Sequence, residues 1–271
     1  MTEAQKITLD SQERNWQNFC AKHLYDWQGI CSKYSPQGEM FEYFESLRSF
    51  SGNEERNLIT QNNEYKYPDS RIVKKAWQIN KLTDNLADGI CHSAIPSMRA
   101  LFFDRGAAVW VMKQLEPESN LMVELVFESE KSRSSITTHY DGTGNLIRTV
   151  CIRENTTGSV SQYLSTGIKL LPSRNFRDNW QGTLTAMTPD LQVSSSVPTQ
   201  LRFPIVGNET FYFPGGTSVS CPNQIKIGNK FSITANWLLM PSQLQQLTVN
   251  YDESGTFSLV TLELFGFLDN N

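Results

Sequence analysis

Four residues of this 271-residue chain have types and placement that suggest chemistry: Arg153, Cys151, Trp27 and Trp180. Alternation along LIRTVCIREN puts Ile147, Thr149, Cys151 and Arg153 on one face. The corresponding later segment, FSLVTLELFGF, puts Val260, Leu262 and Leu264 on one face and Thr261 and Glu263 on the other. Taking the apolar face as the inner one makes Arg153 an inward arginine near a strand end. Such a guanidinium has two uses. It can hold a carboxylate or propionate through two parallel N–H bonds. It can also lie over Trp27 and close the end of a barrel, a cation–π contact of about 0.5–2 kcal/mol. Leu264 stands at the corresponding place in the second half, so the two interiors should differ.

Other polar residues offer less. His23 lies on the apolar face of a helical stretch and reads as a half-buried, hydrogen-bonded histidine. His139, beside the turn at Tyr140-Asp141, reads as solvent-facing. Cys91 and His92 are adjacent on a strand and point to opposite faces, so they form neither a metal pair nor a nucleophile–base pair. A haem-type ligand would need a histidine inside a cavity, and His92 is the candidate by elimination. Glu42, Glu45 and Arg48 alternate as on a half-exposed strand. The stretch GGTS (215–218) reads as a turn, and no serine sits in a nucleophile elbow. No catalytic constellation and no metal set is read. The five cysteines are scattered and contain no CxxC, which reads as buried reduced thiols.

The totals narrow the classes. Hydrophobic residues make up 39% and aromatics 11%, enough for a sizeable core, and the 19% of charged residues is too few for a disordered chain. A net charge of −4 without a Lys/Arg cluster argues against a nucleic-acid partner. The start, MTEAQKITLDSQERNW, has no apolar stretch after basic residues. No run of about 18 apolar residues follows, so no membrane span is read and a cytoplasmic location is expected.

The elements that must carry these residues come as a repeat. Trp27-Gln28-Gly29 returns as Trp180-Gln181-Gly182, each tryptophan nine residues before a proline. LFFDRGAAV (101–109) matches FYFPGGTSV (211–219), and YDGTG (140–144) matches YDESG (251–255), in the same order. The Tyr-Asp-x-x-Gly segments read as hairpin turns in which Asp bonds its own backbone and Gly takes a positive φ. In Trp-Gln-Gly the glycine admits a bend or a neighbouring backbone. About ten strands are read in the first unit and eight or nine in the second, an antiparallel barrel or sandwich pattern. One helix is read, Gln12 to Leu24, with Trp16, Phe19, Cys20, His23 and Leu24 on one stripe and a capping box from Asp10 to Glu13. Residues 154–179 read as the linker, with Ile168, Leu170, Leu171 and Phe176 docking on a neighbour.

A tryptophan opening strand one after a short helix resembles the barrel-bottom tryptophan of the calycins. The opening NWQNFCAKHLYDWQG resembles a cyanobacterial and plastid family of duplicated lipocalin-like barrels, near the S-type phycobiliprotein chromophore lyases in fold. Where those lyases carry an arginine soon after the tryptophan, this sequence has Ile30, Cys31, Ser32 and Lys33, so no catalytic residue carries over.

The expectation is therefore an all-β chain of two tandem antiparallel lipocalin-like (calycin) barrels with a short N-terminal helix. The first spans 1–155 and the second 156–271, and a fragment beginning near Leu171 should fold alone. The resemblance implies a cavity for a small lipophilic or amphipathic ligand such as a pigment, tetrapyrrole or fatty acid, with Arg153, Cys151, Trp27 and Trp180 as ligand-binding candidates. A chromophore lyase or isomerase, and an interaction scaffold with filled barrels, are the alternatives. Cofactor and oligomeric state are not read from the sequence.

Overall fold

The computed structural model describes residues 3–160, 162–163, 167–174, 176 and 179–267, with side chains from residue 11 onward. Helix α1 (Glu3–His23) comes first. It starts earlier than expected, so Asp10 lies inside it rather than at its cap; the Asp10 side chain is outside the described residues. Glu13 pairs instead with Lys81 at 2.8 Å. The predicted stripe is real: Trp16, Phe19, Cys20 and His23 are all buried.

Eleven strands follow in a meander. They are β1 (Asp26–Tyr34), β2 (Met40–Gly52), β3 (Leu58–Lys66), β4 (Ile72–Asn80), β5 (Asn85–Leu86), β6 (Gly89–His92), β7 (Ile95–Phe102), β8 (Ala108–Met112), β9 (Leu121–Ser129), β10 (Ser132–Tyr140) and β11 (Leu146–Asn155). A four-residue turn of helix, α2 (Lys81–Asp84), joins β4 to β5. The sheet order is β4-β3-β2-β1-β11-β10-β9-β8-β7-β6-β5, so the first strand pairs with the last and the sheet curls into a nearly closed barrel. Its seam lies between β4 and β5, where α1 is pinned: the Gln12 and Asn85 side chains each donate to the other's backbone carbonyl. Asn15 and Asn18 tie the same helix to the backbone of β7.

The second sheet contains β12 (Trp180–Met187), β13 (Val197–Gln200), β14 (Glu209–Tyr212), β15 (Thr217–Cys221), β16 (Phe231–Met240), β17 (Gln243–Tyr251) and β18 (Phe257–Phe267), in the order β13-β12-β18-β17-β16-β15-β14. Again the first strand of the unit pairs with its last. The Trp-Gln-Gly repeat serves this closure. A Cβ on Gly29 would sit 1.8 Å from the Arg153 carbonyl oxygen, and one on Gly182 would sit 2.3 Å from that of Leu264. Only a residue without a side chain lets the two strands meet there.

The core lies elsewhere than alternation implies. The largest apolar cluster is formed between the two sheets: Val109, Val123, Leu125 and Phe127 pack with Val219, Ile233, Leu247, Val260 and Leu262. The apolar face of β18 is thus the contact face with the first unit. The opposite, polar face is buried too. Ser218, Asn236, Gln246 and Glu263 form a cross-strand row over β15–β18. Residues 199–212 approach that face: the Ile205 amide donates to Ser220 Oγ, and Phe203 meets Tyr212 edge-on. The polar face of this row is therefore covered by the chain's own segment rather than turned to solvent.

The two units meet through a pseudo-two-fold set of hydrogen bonds. The Leu115 amide donates to the Gly255 carbonyl and the Phe257 amide to that of Lys113. The repeat-related Ile225 amide donates to Gly144 and the Leu146 amide to Asn223. Such reciprocity is the mark of an isologous contact.

Candidate functional site

Strand parity brings charged groups into the first barrel. Gly29 of β1 stands opposite Glu154 of β11, which stands opposite Arg133 of β10. On the other side Trp27 pairs with Arg48 of β2. With no side chain at Gly29, Arg48 reaches past β1 to Glu154. Its Nε and Nη2 donate to the two carboxylate oxygens at 2.6 and 2.5 Å, and Arg133 Nε donates to one of them at 2.9 Å. Burial alone would raise the Glu154 pKa, but the two guanidinium groups outweigh it and hold the carboxyl below its ordinary range. Burial pushes Arg133 down to about 10, which leaves it charged at neutral pH.

The Arg133 guanidinium lies over the Trp27 ring, 4.3 Å from its centre. Trp27 Nε1 donates to the His23 carbonyl at 3.0 Å. His23 Nε2 is 3.1 Å from the Gly106 carbonyl, so it carries the proton and donates. Burial first, then the nearby Arg133, drives the His23 pKa down to about 3 and keeps the ring neutral. The barrel end is thus closed by a stack of helix end, tryptophan and arginine.

Above this stack is a cavity of ≈230 Å³. Its lining is rich in rings: Phe50, Trp77, Phe102 and Trp110, with His92 edge-on to Trp110 at 5.1 Å between ring centres. The His92 Nδ1 accepts from the Ala94 and Ile95 amides, which assigns the proton to Nε2. Burial lowers the His92 pKa. Polar groups alternate with these rings from strand to strand: Gln61 pairs with both Phe50 and Trp77, and Glu124 pairs with Trp110. Gln61 Nε2 donates to Asn63 Oδ1 at 3.1 Å, and Asn63 Nδ2 donates to the Tyr65 hydroxyl at 2.7 Å. The Glu124 carboxylate also lines the cavity, 3.9 Å from Arg48 Nη1. The arrangement suits a small molecule with a flat apolar body and a polar edge.

The sequence candidates are placed differently. Arg153 and Cys151 share the outer face of β11, opposite in parity to Glu154, and face the second sheet. Cys151 Sγ lies 3.6 Å from Thr217 Oγ1, and Arg153 Nη2 donates to the carbonyls of Tyr163 and Gly167. The inward reading of Ile147, Thr149, Cys151 and Arg153 is therefore corrected by one residue. The error came from assigning the apolar face of β18 to a barrel interior. Trp27 does receive an arginine, but it is Arg133. Trp180 sits apart with Phe176, Leu244, Phe265 and Phe267 in a cluster at its own strand's start. His139 is half-buried rather than solvent-facing, with Arg148 Nη2 3.4 Å from its Nδ1, and burial takes its pKa down to about 3. Arg48, read as part of a half-exposed strand, belongs to the site. The unused signal was the register: an arginine beside Trp27, with Gly29 leaving room across β1.

Among the described residues no group of His, Cys, Asp and Glu is arranged to hold a metal ion. None of their helices is long and apolar enough to cross a membrane.

Comparison with known proteins fits this architecture. No curated protein matches the chain in sequence. A crystal structure of a protein with unknown function from the DUF3598 family of Nostoc punctiforme superposes with a TM-score of 0.72 at 17% identity, covering 94% of this chain and 99% of that one. The S-type phycobiliprotein lyase CpeS of Guillardia theta gives a TM-score of 0.37 at 10% identity, covering 55% and 96%, too low to carry an argument. Residues 206–264 match the C-terminal domain described as biogenesis factor required for ATP synthase 1. Residues 12–159, more than half of the chain, match the N-terminal domain of unknown function DUF3598. The family resemblance read in the opening of the sequence is thereby borne out, and the chain belongs to the DUF3598 family.

Proposed function

We propose that the first barrel binds a small amphipathic molecule with a flat, conjugated or aromatic body. The cavity of ≈230 Å³, lined by the Trp77, His92 and Trp110 rings and by the Gln61–Asn63–Tyr65 chain, is the observation that supports this. Its size is below the usual range of about 300–1,000 Å³ for drug-sized ligands. A compact ligand, or one end of a longer pigment or fatty acid, fits better than a whole tetrapyrrole. Arg48 and Arg133 are neutralised in part by Glu154 and Glu124, so the polar edge of the ligand meets both donors and acceptors. The reading is one of binding; no nucleophile–base pair stands among the described residues that line the cavity.

The test is extraction and mass spectrometry of small molecules that copurify with the full chain, beside the variant Met98→Trp. Met98 lines the cavity and is buried. The reading expects a species present with the native protein and absent from the folded variant. Identical extracts from both, or none from either, would count against it.

A further inference from the structure

The pseudo-two-fold relation between the units creates two equivalent clefts, and among the described residues the linker occupies one of them. In the first, the outer face of β1 and β11 meets the Phe213–Gly215 turn of the second unit. The Tyr34 ring lies 5.2 Å from that of Phe213, and a Cβ on Gly215 would touch the Arg153 side chain. Here the linker lies in the cleft. Ile168 gives its carbonyl to the Tyr34 hydroxyl at 2.7 Å, Arg153 Nη2 takes the carbonyls of Tyr163 and Gly167, and Leu170 packs on the inter-sheet core.

In the second cleft the outer face of β12 and β18 meets the corresponding Phe103–Arg105 turn. Met187 stands for Tyr34 and Leu264 for Arg153. None of the described linker residues lines it; the segment after β12, with Val193, Ser194 and Ser196, borders it instead. What remains is a hollow of ≈380 Å³, larger than the barrel cavity. Its floor is apolar, from Phe103, Met187, Leu262 and Leu264. Its sides carry the hydroxyls of Thr183 and Thr185. Its rim carries two guanidinium groups, Arg14 from α1 and Arg105 from the turn, against the single carboxylate of Asp104. Arg14 already donates to the Leu191 carbonyl at 3.2 Å, whereas exposed Arg105 has no ion-pair partner among the described residues.

We propose that this cleft between the two sheets is a second binding site, for an anionic amphiphile: a carboxylate on a short apolar chain. The chain covers Phe103, Leu262 and Leu264, as Leu170 covers the equivalent surface. The carboxylate accepts from Arg105, with Thr183 and Thr185 beside it. A carboxylate rather than a neutral head is favoured because a charged acceptor roughly doubles the strength of a guanidinium hydrogen bond. The site is independent of the barrel cavity and shares with it only Phe102.

Calorimetric titration of the full chain with decanoate, decanol and decyltrimethylammonium, each below its micelle concentration, tests this. One molecule of decanoate is expected to bind per chain, at least about tenfold more tightly than decanol, with no binding of the cation. Arg105→Ala should remove that preference for decanoate. Thr183→Trp, at an exposed position on the cleft wall, should abolish binding, while Met98→Trp in the barrel should leave it unchanged. Absence of decanoate binding, equal affinity for decanol, binding unaltered by Arg105→Ala or Thr183→Trp, or its loss in folded Met98→Trp would each overturn the proposal. The last result would place the amphiphile in the barrel instead.

Discussion

The Tyr140 hydroxyl donates to the Pro222 carbonyl of the other unit at 3.0 Å. Its repeat counterpart, Tyr251, donates to the Met112 carbonyl at 2.8 Å, and Met112 is the counterpart of Pro222. Each hairpin turn of the Tyr-Asp-x-x-Gly type thus fastens its own unit to the other. The duplicated sequence is folded as a joined, pseudo-symmetric pair rather than as two independent beads.

Tyr140→Phe and Tyr251→Phe should each cost about 0.5–1.5 kcal/mol, the usual net worth of one hydrogen bond. The two sites lie in different contacts, so the double variant should show the sum. Denaturant unfolding measures both. A single variant that loses nothing would mean its hydroxyl finds water as easily as the partner carbonyl.

The same geometry changes the expectation for fragments. A chain beginning near Leu171 would leave Val219, Ile233, Leu247, Val260 and Leu262 without the first sheet. Each such side chain is worth about 1.5–3 kcal/mol when buried. Expressed alone, residues 171–271 should aggregate or self-associate through this face, as sedimentation would record. A folded monomer would refute the prediction.

Glu154 holds the buried Arg133 and the half-buried Arg48, so Glu154→Gln should destabilise by about 3–5 kcal/mol, the cost of leaving buried charge uncompensated. Thermal unfolding at neutral pH provides the readout. A loss below about 1 kcal/mol would mean that water or Glu124 takes over the guanidinium groups.

Acid should weaken the fold in two stages. His23 and His139 have pKa values near 3 when folded against about 6.5 when unfolded, so the unfolded chain binds more protons in between. Stability is then complete above pH 6.5 and falls by up to about 1.4 kcal/mol per unit and per histidine below it. Glu154 adds stability present above its unfolded pKa, lost as pH falls through its depressed folded value. His23→Gln keeps a donor for the Gly106 carbonyl and should flatten the slope between pH 6 and 4. Urea midpoints across that range decide it, and an unchanged slope would assign the acid sensitivity elsewhere.

Gly29→Ala should prevent β1 from meeting β11 and cost at least about 2 kcal/mol, because the added carbon would strike backbone rather than a movable side chain. Loss of the native near-ultraviolet signal of Trp27 would accompany it. A variant as stable as the native chain would mean that the strands separate easily there.

The amino-acid sequence by itself determined the repeat, the strand-rich class, the turns at Tyr140 and Tyr251, and the helix stripe through Trp16 and Phe19. These are local: a glycine at positive φ, a tight turn or a 3.6-residue period leaves its mark within a few residues. What only the tertiary structure decided was which face of each strand is inside. On β11 and β18 one face packs against the other sheet, while the other faces the barrel interior on β11 and the segment 199–212 on β18. Apolar alternation then marks the larger apolar interface, which here lies between the units. Parity therefore points Arg153 into the cavity, whereas it is Glu154, read at the start of the linker, that faces inward. The Arg48–Glu154–Arg133 cluster draws on residues up to 106 positions apart, joined by strand register and the gap at Gly29, and no short window of sequence contains it.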